Sequence, residues 1–593
     1  MDRQAWIAVT LCVIGFVALQ VYNAKHMPPP VPVAASPTPA AAPENQAATA
    51  ASQTPSVSPS PGALPTPAPT ASIPPFVEKT ETLANADVEL HLTNRGGGIA
   101  EARLLHHAEE KGRGEIILNS PDSLPIGAIV EQPAAAVLPE FTMARQADGS
   151  VEMELATPQG MSIRKRFFFP PPDQKSDNYV SEMQIDFRND GQEPHAVPGY
   201  FIALGSTRPI HPNDMPMYTR LVWSVNGDSK GVDVSSFEGS GGFLGFGQHA
   251  PRPIHQETVP GADWAAMSNQ FFTTILTPLN AKVGEVWGKR IEIKRSDTQN
   301  LAGMEGAMRL PGFELQPGQT NTLRVQLYTG PKLYGRIAKL KHDEAEIMNF
   351  GMWKLVSQLL LNFMNLIHGW VRDYGWSIIL LTACVKGVLW PLQNKANASM
   401  RRMSALAPKM QELKEKHKDD PTRMNQEVMK LYKEHGVNPV GGCLPMMIQI
   451  PIFFGLFSML GQAAELRNAT FLWVSDLSQP DTLFIIPGMG WIPILGLPGV
   501  GLPFNVLPIL MGATNVWLMH MTPKTGDAMQ RRVLMFMPLI FLIFCYNFAA
   551  ALALYYTTQN LFTILQLWHN KKQPLPVLEK VAPAGKKSRK GRS

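Results

Sequence analysis

Cysteine is scarce. The 593 residues contain four, Cys12, Cys384, Cys443 and Cys545, each in or beside an apolar run. The long polar stretch 76–340 has none, which excludes a disulfide framework or a CxxC metal site there. We read all four as small membrane-embedded hydrophobes. Catalytic signatures are missing as well. There is no Walker loop, and Gly245-x-Gly247 lacks the closing glycine and strand–turn–helix setting of a dinucleotide site. Residues 239–242 are a flexible turn and not a nucleophile elbow. His106, His107, His417, His435 and His520 have no metal-ligand spacing. No catalytic residue, metal or cofactor is expected, and the chain does not read as an enzyme. Charge is sparse before residue 75, mixed to about 345, and patchy among apolar runs beyond; the net charge of +5 matters less than its placement.

Within this apolar background one residue stands out. The run Trp376–Leu392 has the composition and roughly the length of a membrane span, yet Lys386 sits inside it. A lysine near the middle of a spanning helix costs roughly 2.5–3.5 kcal/mol on insertion scales. Two readings are open. The stem could snorkel toward the end near Pro391, or the ammonium could face a polar interior. Thr382 and Gln393, at i−4 and i+7, share its helical stripe and favour the second. Gln449, Thr514, Asn515, Gln559 and Asn560 are further polar residues in apolar runs. Each can serve as a helix-to-helix hydrogen bond or line a cavity.

The chain divides as follows. Residues 1–27 are an N-terminal anchor, with the apolar stretch at 5–22 and no convincing signal-peptidase site after it. Residues 28–75 are Pro, Ala, Ser and Thr with Glu44 as the one charge, an extended tether. Residues 76–340 alternate with period two, as in Val88-Leu90-Leu92, Val151-Met153-Leu155, Met183-Ile185-Phe187 and Leu323-Val325-Leu327. Turn signals such as Asn94–Gly98 separate them, which predicts a large β-sandwich. Residues 350–372 form a two-faced helix with tryptophans near both ends, suited to lie in the interface. A second span covers 375–396, a charged helical hairpin 397–440, spans three to six 441–569, and a basic tail 570–593. The apolar run 502–521 is read as one span. The run 533–568 would be about 54 Å long as one helix, against roughly 30 Å of hydrocarbon, so it breaks near Asn547-Phe548-Ala549.

Lys and Arg set the topology. The segments 396–440 and 522–532 and the tail are basic and face the cytoplasm, while 464–501 carries Arg467 against Glu465, Asp476 and Asp481 and faces out. Six spans then place both termini inside and the β domain outside. The expected fold is a polytopic α-helical membrane protein with an outer all-β domain and a cytoplasmic helical hairpin.

At Asn438–Leu460, Ser377–Leu392, Phe471–Asp481 and Ala553–Gln566 the chain resembles the YidC membrane protein insertases, in the Gram-negative form with a large periplasmic domain. The resemblance implies an inner-membrane insertase and chaperone, acting alone or with the Sec translocon, and an outer domain of the supersandwich type. It implies a hydrophilic groove with one cation, at the position of Lys386, where most relatives carry arginine. It also implies that Thr382 and Tyr556 line that groove, that Ile450 and Phe453 contact clients, and that Asp527 lies in a partner-binding loop. Nascent membrane proteins, lipids, and the ribosome or targeting factors are the implied partners. Lys586, Lys587, Arg589 and Lys590 in the tail suit either RNA, without sequence specificity, or anionic lipid. Where relatives usually have Pro and Gly between the last two spans, this chain has Ala549-Ala550-Ala551. From the residues alone, the alternatives are a secondary transporter with a buried cation, though no inverted repeat of broken helices is visible, and an anchored carbohydrate-binding protein.

Overall fold

The computed structural model describes residues 77–571, apart from short stretches at 111–112, 132–137, 159, 172–176, 213, 240–249, 297–298, 418–419, 436, 438–443, 493–494, 498–499 and 523–527. The N-terminal anchor, the tether, Asp527 and the basic tail lie outside the described residues.

The β region is built on a nine-stranded antiparallel sheet running from Asp228–Asp233 at one edge to Thr142–Arg145 at the other. A five-stranded sheet, with Val283–Ser296 and Gln299–Leu310 as its long strands, packs on it, beside a four-stranded sheet from Thr80–Ala84 to Arg113–Leu118 and a two-stranded pair of His195–Val197 with Phe313–Leu315. Period-two alternation buries one face of strands such as Val180–Asn189, while Tyr200–Thr207 and Phe272–Pro278 are buried on both faces. Leu323 pairs with Ile185 and Val325 with Met183 in neighbouring strands, and all four are buried. The same rule points Ile163, Lys165 and Phe167 inward from Met161–Phe168, and Lys165 is fully buried. Its ammonium donates to the carbonyls of Gly96, Gly97 and Gly127, each at 2.9 Å. Gly96 and Gly97 have φ of +71° and +60°, and a Cβ on Gly97 would meet the Phe141 ring at 2.9 Å. Only glycine fits that loop without strain.

Helices follow the β region: α1 (Lys354–Val371), α2 (Tyr374–Ala405), α3 (Ala407–Lys416), α4 (Pro421–Glu434), α5 (Leu444–Leu460), α6 (Val506–Met521), α7 (Ala528–Cys545) and α8 (Ala550–Lys571). Among the described helices α2 is long and apolar enough to cross a membrane; α5, α6 and α7 contain shorter apolar stretches. Asp373 caps α2 by accepting from the Trp376 amide, and the helix runs through Pro391 past residue 396 to Ala405. Helix α1 packs on α5 where Ser357 donates to the Gly455 carbonyl at 2.9 Å. Its other side exposes Leu355, Leu359, Leu366 and Trp370. Helices α3 and α4 close over Leu406, Met410, Tyr432 and Val437. Asp420 caps α4 with Pro421 in its first turn.

One stretch differs in detail from its sequence reading, and one break is made by contacts from elsewhere in the chain. Residues 502–505 are not helical: Leu502–Asn505 is a strand paired with Thr482–Ile486, and the helix begins at Val506. Hydropathy cannot tell a short apolar strand from the first turn of a helix, and Asp481 supplies the helix start by accepting from the Leu507 amide at 2.7 Å. The break after Cys545 holds without Pro or Gly. Ala550 donates to the Gln479 carbonyl and Ala551 to that of Leu477, so the first amides of α8 are satisfied by a neighbouring loop.

The β domain meets the helices through polar contacts. Gln270 donates to the Gly461 carbonyl at 2.8 Å, Arg467 to that of Glu109 at 2.6 Å, and Gln479 to Asp214 at 3.3 Å. Lys332, 2% exposed, reaches Gln462 at 3.4 Å. Burial, with Arg220 adding, pulls its ammonium down to about 7. An unfolded lysine titrates near 10.4. Between these values the unfolded chain holds a proton that the folded chain lacks, so stability rises with pH through this window and is lost as pH falls toward 7. Lys332→Met is expected to raise the melting temperature at pH 7 and flatten its climb to pH 9.5. An unchanged pH slope in the variant refutes this.

Candidate functional site

The site is assembled from α2, α5 and α8. Along α8, Tyr556, Gln559, Thr563, Gln566 and Asn570 recur at alternating three- and four-residue steps, which sets them in one stripe. Opposite them α2 carries Lys386, Asn394 and Arg401. Lys386 Nζ donates to Thr563 Oγ1 at 2.9 Å. Gln566 and Asn570 both donate to Asn394 Oδ1, at 2.8 and 2.9 Å, and Arg401 donates to the Asn570 carbonyl at 2.9 Å. From Lys386 to Arg401 this ladder follows α2 for about 22 Å at the helical rise. Gln449 on α5 extends it sideways by donating to Gln559 Oε1 at 2.9 Å. Asn560 donates to Thr514 Oγ1 on α6 at 3.1 Å.

Lys386 is 7% exposed, and among the described residues Thr563 is its one hydrogen-bond partner and no carboxylate pairs with it. An ammonium has three donors, so two remain to be met by water, lipid phosphate or another molecule. Such a buried cation is costly and under-satisfied.

The other anticipated residues divide. Tyr556 joins Phe453 and Phe541 in an aromatic cluster, with centroids 5.5 and 5.1 Å away. Ile450 lies exposed on α5 one turn before Phe453. Thr382 is buried but donates to the Ile378 carbonyl of its own helix at 2.6 Å, so its hydroxyl does not meet Lys386. Among the described residues Gln393 Oε1 is buried without a hydrogen-bond partner. Thr563, Asn394, Gln566 and Asn570 were not singled out by sequence reasoning; the three-four recurrence from Tyr556 to Asn570 is the signal that would have found them.

Residues 81–363 match the family model for the YidC periplasmic domain, and residues 366–575 match that for the 60Kd inner membrane protein. Membrane protein insertase YidC of Histophilus somni is 31% identical over 504 residues, 82% of this chain and 85% of the relative. That of Syntrophus aciditrophicus is 28% identical over 603 residues, 97% of this chain and 100% of the relative. That of Syntrophobacter fumaroxidans is 36% identical over 321 residues, so there the match spans about half of each protein, 53% of this chain and 54% of the relative. With its periplasmic β-rich domain and its apolar helices, the chain belongs to the bacterial inner-membrane family of membrane protein insertase YidC.

Proposed function

We propose that the protein integrates newly made inner-membrane proteins, and helps them fold, through the polar ladder between α2 and α8. The observation that carries this is Lys386, a cation within an apolar helix, bonded to one hydroxyl and paired with no carboxylate among the described residues. A client helix must pass a short polar segment across roughly 30 Å of hydrocarbon. Polar groups along part of that path shorten the dry distance, and acidic client residues gain a temporary partner in Lys386. The client's apolar stretch then partitions into lipid past Ile450, Phe453 and Tyr556, which supplies the driving force. Thr382, Gln393 and Gln449 complete the proposed lining. No covalent step is involved.

The arrangement we propose has six spans, both termini and the 397–440 hairpin in the cytoplasm, and the β domain outside. The distribution of Lys and Arg supports it. The exposed leucines and Trp370 of α1 support an interfacial position for residues 350–372. Asp527 and the basic tail, with Lys586, Lys587, Arg589 and Lys590, are proposed to meet the ribosome, targeting factors or the Sec translocon.

The test uses purified protein in liposomes and a ribosome-made client with one or two spans, scored by protease protection. Insertion several-fold above empty liposomes is expected. Insertion equal to that of empty liposomes refutes the reading and directs attention to solute flux.

A further inference from the structure

Residues 482–505, between α5 and α6, contain no Asp, Glu, Lys, Arg or His. Their two polar side chains, Thr482 and Asn505, bond each other at 2.7 Å. The strands Thr482–Ile486 and Leu502–Asn505 pair antiparallel, and Phe484 stacks on Phe504 with centroids 4.9 Å apart. Leu483, Phe484, Ile485, Met489, Trp491 and Val500 are between 36 and 77% exposed, Trp491 the most. A soluble surface rarely carries so many large apolar side chains together without a partner.

The base of this hairpin is held firmly. Asn505 Nδ2 donates to the Tyr546 carbonyl at 2.8 Å, and Tyr546 Oη donates to the Pro503 carbonyl at 2.7 Å. Asp481 accepts from Trp473 Nε1 at 3.0 Å and from the Leu507 amide at 2.7 Å. The second strand ends at Asn505 and α6 begins at Val506, with no residue between them. The hairpin is therefore fixed at one end of α6 and beside the turn between α7 and α8.

We infer that this hairpin is a membrane-docking element that seats Phe484, Ile485 and Trp491 among the lipids of the outer-leaflet interface. The inference rests on α6 being a span. If it is, direct continuity puts the hairpin within a few residues of the outer membrane surface. An open two-stranded edge cannot enter the hydrocarbon, because its free amides and carbonyls would go unmet. At headgroup depth water reaches that edge while the side chains reach the acyl chains, and tryptophan favours that zone. A protein partner would normally be met by a polar rim, which residues 482–505 do not have.

The test uses the full chain with Cys12, Cys384, Cys443 and Cys545 replaced. Single cysteines are placed by Phe484→Cys, Trp491→Cys, Val516→Cys and Ser235→Cys, then labelled with an environment-sensitive fluorophore in phosphatidylethanolamine–phosphatidylglycerol vesicles. Val516 lies about 15 Å along α6 and reports the span; exposed Ser235 in the β domain reports water. Positions 484 and 491 are expected to be quenched best by shallow nitroxide lipids, with iodide quenching about fivefold below that at 235. Iodide quenching equal to that at 235 overturns the inference. So does protection from both quenchers, which would mean a second copy or another protein covers the hairpin. If 516 is also open to iodide and untouched by nitroxide lipid, the span reading fails with it; if 516 is quenched by deep nitroxides, only the hairpin's placement is at stake.

Discussion

Lys386→Met is expected to reduce insertion of an acidic-loop client at least about tenfold while leaving the protein as stable as the wild type or more so. Both parts follow from one contact. Among the described residues the ammonium has a single partner, Thr563, whose hydroxyl also donates to the Gln559 carbonyl of its own helix at 2.8 Å. Removing the lysine therefore orphans no buried group. It does remove a poorly compensated cation, and with it the cost of keeping that charge out of water. Lys386→Arg keeps the charge and adds a planar fork that can bind a client carboxylate bidentately, so insertion should stay within about twofold of wild type. The two readouts are protease-protected insertion and thermal unfolding in detergent. A methionine variant that inserts normally would show that the ladder's neutral groups suffice. One that loses activity and melts several degrees lower would show a structural lysine, and the proposed role would fall.

The β-rich domain and this lysine are both legible in the sequence, for opposite reasons. Met183, Ile185 and Phe187 obey period two, and a strand buried on one face has no other way to hide them. Lys386 breaks the composition of its run, and a violation of hydropathy is itself a signal. What stayed hidden needed partners from elsewhere in the chain. Thr563, Gln566 and Asn570 are unremarkable singly and acquire a role only when α2 brings Asn394 and Lys386 opposite them. Thr382 shares the stripe with Lys386, but threonine can satisfy its hydroxyl on the preceding turn, and there it does. Residues 502–505 extended an apolar run, and hydropathy alone does not distinguish strand from helix over so few residues. Lys165 was readable in principle: Ile163, Lys165 and Phe167 alternate onto one face, and the lysine's inward position follows from that spacing.

Lys165→Met should have the opposite effect to Lys386→Met, destabilising the β domain by about 3 kcal/mol or more without lowering insertion at temperatures where the domain stays folded. Burial pushes the Lys165 ammonium down toward about 7, but its surroundings favour the charged form. All three of its donors are used, on Gly96, Gly97 and Gly127, and the Phe141 ring lies 4.7 Å from Nζ. A neutral amine would lose one of these bonds, since it has only two hydrogens to give. The lysine thus ties two loops, the turn at residues 96–97 and the one at Gly127, to the strand Met161–Phe168. Methionine fills a similar volume, so the cost comes from three buried carbonyls left without a donor, each worth about 1–3 kcal/mol when orphaned. At about 2–4 °C per kcal/mol for a domain of this size, melting should fall by roughly 6–12 °C. Circular dichroism of the β signal in the full-length protein measures it. A shift under about 2 °C would mean that water or a loop rearrangement meets those carbonyls, and that Lys165 is not what holds the two loops to the sheet.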